Sequence, residues 1–430
     1  MGSCSFKSGD QSKNSIKTPQ VKSKNQNAGQ QSPPSSNPKS HQKIDTDRPR
    51  EKNHPNEENI IKGSNIEENK RRSGKKKLTV LSTNEDTEVA KEHQRELPFV
   101  RQSSLGKKEQ GSFLIVQKPV MFAGKISNKN QSEFEDKLMV IEGDDVKKEY
   151  LIEHGIWVSC KKGLKPESPN QDDFVVVIED NSVLLGVFDG HGTHGHEISN
   201  FLHKVFPRTL IRSSYWSEYP NHALTETFPL VHNELVAFCS KNSELFDCTL
   251  SGSTATLIYI KDRKIYTGHV GDSRAILGKR IKGKIVAFEL TRDHKPILDD
   301  ESERIKKMGG EIKRLDDDIP HRVFFKGKHY PGIAMSRTMG DQLAQSIGVV
   351  CTPEVKVFDI EDNDEFVLAC SDGVWEFISN QEAADEISKY TDPRIAAEKL
   401  ASMAWTEWIK NEVDVVDDIT VVLRYLKNNV

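Results

Sequence analysis

All five Trp and all eight Tyr of this 430-residue chain lie at or beyond Tyr150, and that asymmetry confines any core to the later part of the sequence. In residues 1–112 the only Phe, Trp or Tyr are Phe6 and Phe99, set among Ser, Asn, Gln, Lys and Glu. Such a segment has too little apolar surface to offset the entropy of ordering it. It carries 22 basic against 14 acidic side chains, net +8, so the overall charge of −4 averages this segment with a remainder of −12. The expectation is a disordered basic tail over residues 1–130 and a folded domain over 137–428, long enough to bury a large single core.

No apolar run approaches the roughly 18–20 residues of a membrane span, and the start lacks the apolar stretch of a secretory leader. Cys4, Cys160, Cys239, Cys248, Cys351 and Cys370 contain no CxxC pair. This points to a reducing compartment and away from structural zinc. Gly2 meets the requirement for myristoylation and Cys4 is a candidate for palmitate, although Phe6 stands where Ser or Thr is usual. Two chains would anchor the protein to a membrane surface. The cluster Arg71-Arg72-Ser73-Gly74-Lys75-Lys76-Lys77 reads as a nuclear signal, an anionic-lipid patch or a solvated charge run. With no aromatic platform in the tail, nucleic-acid binding is not expected. The expected location is cytoplasmic, at a membrane if acylated, with the nucleus as the alternative; a monomer is the default.

Beyond the tail, short β-branched runs dominate. Phe174–Ile178 and Val183–Phe188 flank Asp180-Asn181 and predict a hairpin. Thr254–Ile260, Lys264–Gly268, Arg274–Leu277, Lys284–Leu290, Phe366–Cys370 and Ile419–Leu426 read as further strands. Helical periodicity covers Gly195–Leu210, Ala223–Phe238, Glu301–Met308, Gln381–Ser388 and Pro393–Ile409. Ser379-Asn380 and Asp392-Pro393 supply N-terminal capping signals for the last two. Strands cluster with helices between the clusters, which is an α+β pattern.

Two of the apolar runs end alike, in Phe188-Asp189-Gly190-His191-Gly192 and Cys370-Ser371-Asp372-Gly373. Asp272 lies in Gly271-Asp272-Ser273-Arg274, and Asp417-Asp418 opens the last strand. Singly, an Asp-Gly after an apolar run is a turn signal. Together, carboxylates at strand ends are hard oxygen donors on a rigid frame, suited to Mg²⁺ or Mn²⁺ and unsuited to zinc.

With these blocks the chain resembles the metal-dependent protein phosphatases of type 2C. The match also includes Asn170-Gln171-Asp172-Asp173-Phe174, Ser251-Gly252-Ser253-Thr254-Ala255 and Arg292-Asp293-His294-Lys295-Pro296. Pro331-Gly332-Ile333-Ala334-Met335-Ser336-Arg337, Gly340-Asp341 and Asp417-Asp418-Ile419-Thr420 complete it. The resemblance implies a two-sheet antiparallel β-sandwich flanked on both faces by helices. It implies hydrolysis of phosphoserine and phosphothreonine in protein substrates by a water activated between two Mg²⁺ or Mn²⁺ ions, without a phosphoenzyme. By the same match Asp189 bridges the ions, Gly190 offers its carbonyl, and Asp372 and Asp417 complete the ligands. Asp272 belongs to a weaker third ion, Asp172 holds metal-bound water, and His191 is the general acid.

Three positions depart from the family pattern. Gln171 replaces a frequent Glu, and Asp418 replaces the usual Asn. Gly163-Leu164-Lys165-Pro166-Glu167 lacks the Arg that grips the substrate phosphate, leaving Lys165 as a point charge without the bidentate fork. The alternative is a pseudophosphatase scaffold of the same fold.

Overall fold

In the computed structural model, residues 119–430 are described except 144, 316–319, 413 and 428–430. Gly2, Cys4 and the basic cluster at 71–77 lie outside the described residues. The strands begin with β1 (Val120–Gly124), β2 (Met139–Glu142), β3 (Ile156–Lys161), β4 (Asp172–Glu179), β5 (Ser182–His191) and β6 (Gly252–Ser253). Then come β7 (Ala255–Lys261), β8 (Lys264–Val270), β9 (Arg274–Ile281), β10 (Lys284–Glu289), β11 (Gly310–Lys313) and β12 (Arg322–Phe325). Last are β13 (Pro331–Ile333), β14 (Met339–Gly340), β15 (Glu354–Asp359), β16 (Asp364–Cys370) and β17 (Ile419–Tyr425). The helices are α1 (Glu149–Glu153), α2 (Gly195–Arg212), α3 (Pro220–Lys241), α4 (Asp299–Lys307), α5 (Gln342–Gln345), α6 (Asp372–Trp375), α7 (Asn380–Ile387) and α8 (Pro393–Asn411).

One sheet runs β15-β8-β7-β5-β4-β1-β2, with β6 joining β5 to β14 at its rim; the second runs β10-β9-β16-β17-β3. A third, small sheet is β11-β12-β13. The period of two explains the layers. Phe174, Val176 and Ile178 of β4 face inward with Val183, Leu185 and Val187 of β5, against Val158, Leu277, Val367 and Val422 of the other sheet. The alternate residues Val175, Val177, Leu184 and Phe188 face outward onto Ile198, Leu202 and Phe206 of α2 and Leu224 and Phe228 of α3. Ile276, Phe366, Leu368 and Leu423 do the same against α7 and α8. Both faces of each central strand are therefore buried, which is why these segments read as unbroken apolar runs. Each fully buried Phe in these layers contributes roughly 1.5–3 kcal/mol of transfer free energy. The helix–sheet–sheet–helix layering agrees with the expected sandwich.

The expected hairpin closes at Asp180-Asn181, with Asp180 at φ +38°. Ser379 caps α7 in a capping box with Glu382, and Asp392 accepts from the Arg394 and Ile395 amides at the start of α8. The N-terminal boundary needs correction. Phe122 is fully buried, and β1 pairs with both β2 and β4. Residues 120–124 thus belong to the central sheet, not to a tail ending at 130. The strand is a five-residue apolar run among polar neighbours, too short for periodicity to reveal it.

Candidate metal and phosphate site

The sandwich brings one strand end after another to the same rim. Asp172 starts β4 and Asp189 nearly ends β5, and the two are direct cross-strand partners. Asp372 follows β16, Asp417 precedes β17, and Asp272 sits in the corner where the chain leaves β8 for β9 in the other sheet. Neither Asp-Gly is a hairpin turn. Asp189-Gly190 continues β5, and Asp372-Gly373 opens α6.

Glycine at these positions admits backbone. An ideal Cβ on Gly190 would lie 2.2 Å from the Gly195 carbonyl oxygen, so β5 and the start of α2 touch only because that Cβ is missing. A Cβ on Gly373 would lie 2.0 Å from the Asp418 oxygen, and one on Gly163 2.2 Å from the Val416 oxygen. Two glycines therefore pinch the Asp417-Asp418 segment from either side.

The electrostatics are those of crowded anions. Burial and then the charge of Asp372 push the Asp189 carboxyl well above the usual carboxylate range. Asp372 is pushed the same way by burial and then by Asp417 and Asp272. The charge of Asp372 bears directly on Asp189, and two such neighbouring carboxylates call for a shared proton or a cation. Burial, then the charge of Asp418, raises Asp172 to about 7, although Ser371 Oγ and Thr420 Oγ1 each donate to its Oδ2 at 2.7 Å.

Two lysines partly balance this charge. Lys165 Nζ is ion-paired with Asp417. Burial works against its charge, yet Asp417 and Asp418 hold the ammonium well above the ordinary lysine range. Lys295 Nζ lies 2.6 Å from Asp272 Oδ2. Burial opposes ionisation of Asp272, but Lys295 prevails and keeps it below the usual range. The other oxygen, Asp272 Oδ1, is buried without a hydrogen-bond partner.

These features fit divalent cations. The donors are all oxygen, repulsion among them calls for positive charge, and one buried oxygen is orphaned. Among the described residues no three His, Cys, Asp or Glu side chains close on a single point. The acids act on one another through their charges without such a point; magnesium commonly takes only one or two carboxylates and keeps its waters.

The remaining expected residues have defined places. His191 Nε2 lies 2.7 Å from Asp341 Oδ2, and its Nδ1 has no partner. Burial disfavours the imidazolium, but the Asp341 charge and hydrogen bond outweigh it and raise the His191 pKa. Gln171 Nε2 donates to the Gly192 oxygen at 2.7 Å. Asp418 accepts from the Gly163 amide at Oδ1 (2.8 Å) and from the Gln171 amide at Oδ2 (2.9 Å), a pair of acceptors that an Asn, with one oxygen, would not supply. Arg337 pairs with buried Glu301, and Arg274 grips Asp293 with two nitrogens at 2.7 and 2.6 Å, as structural ion pairs.

Sequence reasoning missed four supports: Asp341 on His191, Lys295 on Asp272, and Ser371 and Thr420 on Asp172. It also missed buried Lys137, whose Nζ bonds the Asp172 carbonyl and lies 3.4 Å from Asp173. Ser371 and Thr420 stood beside recognised acids, which was the one available signal.

The helix-flanked double sheet is shared with solved structures. A serine-threonine phosphatase 2C from Toxoplasma gondii superposes with a TM-score of 0.57 at 21% identity, covering 63% of this chain and 94% of that one. A sex-determining protein of C. elegans gives 0.53 at 22%, covering 63% and 64%. The fold is thus common to this chain and both of those proteins. The family model for protein phosphatase 2C matches residues 167–412, and the chain belongs to that family. Among curated relatives, probable protein phosphatase 2C 35 of Arabidopsis thaliana is 32% identical over 296 residues, covering 63% of this chain and 83% of the relative. Probable protein phosphatase 2C 64 of Oryza sativa is 38% identical over 255 residues, covering 58% and 59%.

Proposed function

We propose that this protein phosphatase hydrolyses phosphoserine and phosphothreonine in proteins with Mg²⁺ or Mn²⁺ as cofactor. The observation that carries the reading is the mutual repulsion of Asp189, Asp372, Asp417 and Asp172 at one rim, an arrangement that a cation would relieve. Asp189, the Gly190 carbonyl, Asp372 and Asp417 would hold two ions, and Asp272 a weaker third. When bound, such ions lower the pKa of water and neutralise phosphate charge.

The chain's own residues do the rest. Ser371 and Thr420 fix the Asp172 carboxyl, which accepts a proton of the attacking water and aims it. Asp341 accepts from His191 Nε2 and so leaves the proton on Nδ1 free for the departing serine or threonine oxygen. The Asp341 carboxylate also favours the protonated imidazole that this step requires. Lys165 contributes a positive charge beside Asp417, where the substrate phosphate would arrive.

The test is phosphate release from a phosphothreonine peptide by the full chain, with Mn²⁺, with Mg²⁺ and with EDTA. Release that needs the metal and is abolished by Asp189→Ala and by Asp372→Ala supports the reading. No release with either metal from folded protein overturns it in favour of a scaffold.

A further inference from the structure

Lys137 lies in the connection between β1 and β2, and its side chain is fully buried, as is that of Asp173. The connection is tied to β3 of the other sheet, where the Lys137 amide donates to the Cys160 oxygen at 2.7 Å and Asp136 bridges to Lys161. The ammonium meets three acceptors, the Asp172 carbonyl, the Asn170 carbonyl at 3.5 Å and Asp173 Oδ2 at 3.4 Å, one for each of its protons. A lysine is buried this deeply only when it is paired and hydrogen-bonded.

Asp173 is held in turn from α2. Asn200 Nδ2 donates to its Oδ2 at 3.1 Å, and His203 Nδ1 lies 3.2 Å from the same oxygen. A Cβ on Gly124 would lie 2.2 Å from Asp173 Oδ1 and 2.9 Å from Lys137 Cδ, so the end of β1 leaves room for the pair only as glycine.

The register of the sheet explains why a lysine is spent here. β1 pairs with β4 only from Val120 opposite Ile178 to Ala123 opposite Val175, so the first residues of β4 run past its end. From the β5 side, the Gly190 amide donates to the Gln171 carbonyl at 3.2 Å, and Ser199 Oγ of α2 does so at 2.6 Å. The Gln171 amide goes to Asp418 Oδ2 at 2.9 Å and the Asp172 amide to Asn170 Oδ1 at 2.9 Å. Lys137 supplies the donors on the side that β1 does not reach, and the carbonyls of Asn170, Gln171 and Asp172 are then all bound.

We propose that Lys137 is a positioning residue for the hydrolysis: by clamping the carbonyls of Asn170 and Asp172 it fixes the main chain that aims the Asp172 carboxyl. The inference rests on the phosphatase reading above and adds a residue to its machinery. Ser371 and Thr420 hold the far end of the Asp172 side chain, and Lys137 holds the backbone from which it springs. The ammonium bonds the carbonyl of Asp172 rather than its carboxyl, so its effect runs through the placement of that residue.

The test compares the full natural chain with Lys137→Met and with the double variant Lys137→Met/Asp173→Asn. Lys137→Met alone leaves Asp173 buried without its cation and should lower the melting temperature by roughly 5–10 °C. The double variant removes both charges and should recover most of that loss. Its kcat on a phosphothreonine peptide should stay down by about 10-fold to 10²-fold with KM unchanged, as a slight misplacement would cause. On an Asp172→Asn background the same double substitution should cost less than about twofold more, because the residue it positions is already disabled. Hydrogen exchange in EDTA adds a readout free of metal and turnover: the amides of residues 171–173 should exchange faster in the double variant, with those of β5 unchanged. A double variant that regains both stability and natural kcat overturns the proposal and reduces Lys137 to a counter-ion of Asp173. So do losses that multiply independently with Asp172→Asn, or amides 171–173 as protected as in the natural chain. A natural chain that releases no phosphate sinks the phosphatase reading and this proposal with it. Equal release by the natural chain and the double variant sinks this proposal alone.

Discussion

The Asp341 carboxylate reaches His191 Nε2 at 2.7 Å from a left-handed backbone, φ +49°, in a residue that is not glycine. Thr338 Oγ1 donates to the same Asp341 oxygen at 3.0 Å, so the carboxylate is fixed from two sides. Asn tolerates this backbone conformation, so Asp341→Asn tests the charge without unfolding the turn. Turnover of a phosphothreonine peptide should fall by about 10²-fold, in line with general acid catalysis. Hydrolysis of p-nitrophenyl phosphate, whose leaving group needs no proton, should fall far less. Steady-state kinetics on both substrates check this; an equal loss on both would reduce Asp341 to a folding role.

Repulsion at the rim makes a second prediction in the opposite direction for stability. In EDTA, Asp189→Asn should melt at a higher temperature than the natural chain, because one buried anion of the cluster is gone. Saturating Mn²⁺, at about 100 times its dissociation constant, should stabilise the natural chain by about 2.7 kcal/mol. The variant should lose most of that gain. Thermal unfolding followed by circular dichroism, with and without Mn²⁺, gives all four values.

Gly373→Ala should damage both stability and turnover. Its new methyl would lie 2.0 Å from the Asp418 oxygen, and the start of β17 would have to move. Overpacking of this kind costs roughly 1–3 kcal/mol. Gly283→Ala is the comparison: nothing lies near its Cβ, and only the φ of +82° is strained. That strain costs roughly 1–2 kcal/mol and leaves the site alone. Urea unfolding together with peptide turnover separates the two, since only Gly373→Ala should lose activity beyond what its stability explains.

His269 supplies a pH dependence of its own, set by burial against the nearby charges of Asp293 and Asp272. Its Nδ1 bonds Thr256 Oγ1 at 2.9 Å, its ring stacks on His294 at 4.6 Å, and its Nε2 is buried without a partner. Burial pushes its pKa down to about 4. A base with a depressed folded pKa contributes fully above the unfolded value, near 6.5, and loses that contribution as pH falls toward 4. Unfolding free energy should therefore decline between pH 7 and pH 4, by up to about 3 kcal/mol from this residue. His269→Gln should flatten that part of the curve. Urea titrations at intervals of pH would show it; an unchanged slope would count against a buried neutral imidazole.

Asp189 and Asp372 could be read from sequence because each ends an apolar run that the sheet buries on both faces. Asp341, Ser371 and Thr420 could not be read as supports. Their hydrogen bonds join positions 150, 199 and 248 residues apart, and such pairings belong to the fold rather than to any local pattern. The strands β11, β12 and β13 were missed for a different reason. They span four, four and three residues, below the length at which alternation is visible. The ion pair of Lys165 with Asp417 has no local signal, because it arises only when the two segments are pinched together at Gly163.

Because β1 is hydrogen-bonded to β4, the strand that begins with Asp172, whatever precedes Val120 is covalently joined to a strand of the sheet that carries Asp172 and Asp189. Tension on the N-terminal segment would pull along a strand lying beside that of Asp172, where antiparallel backbone bonds resist in shear. Cutting the chain at residue 130 would remove that strand and bare the edge of β4 to any other chain in need of a partner.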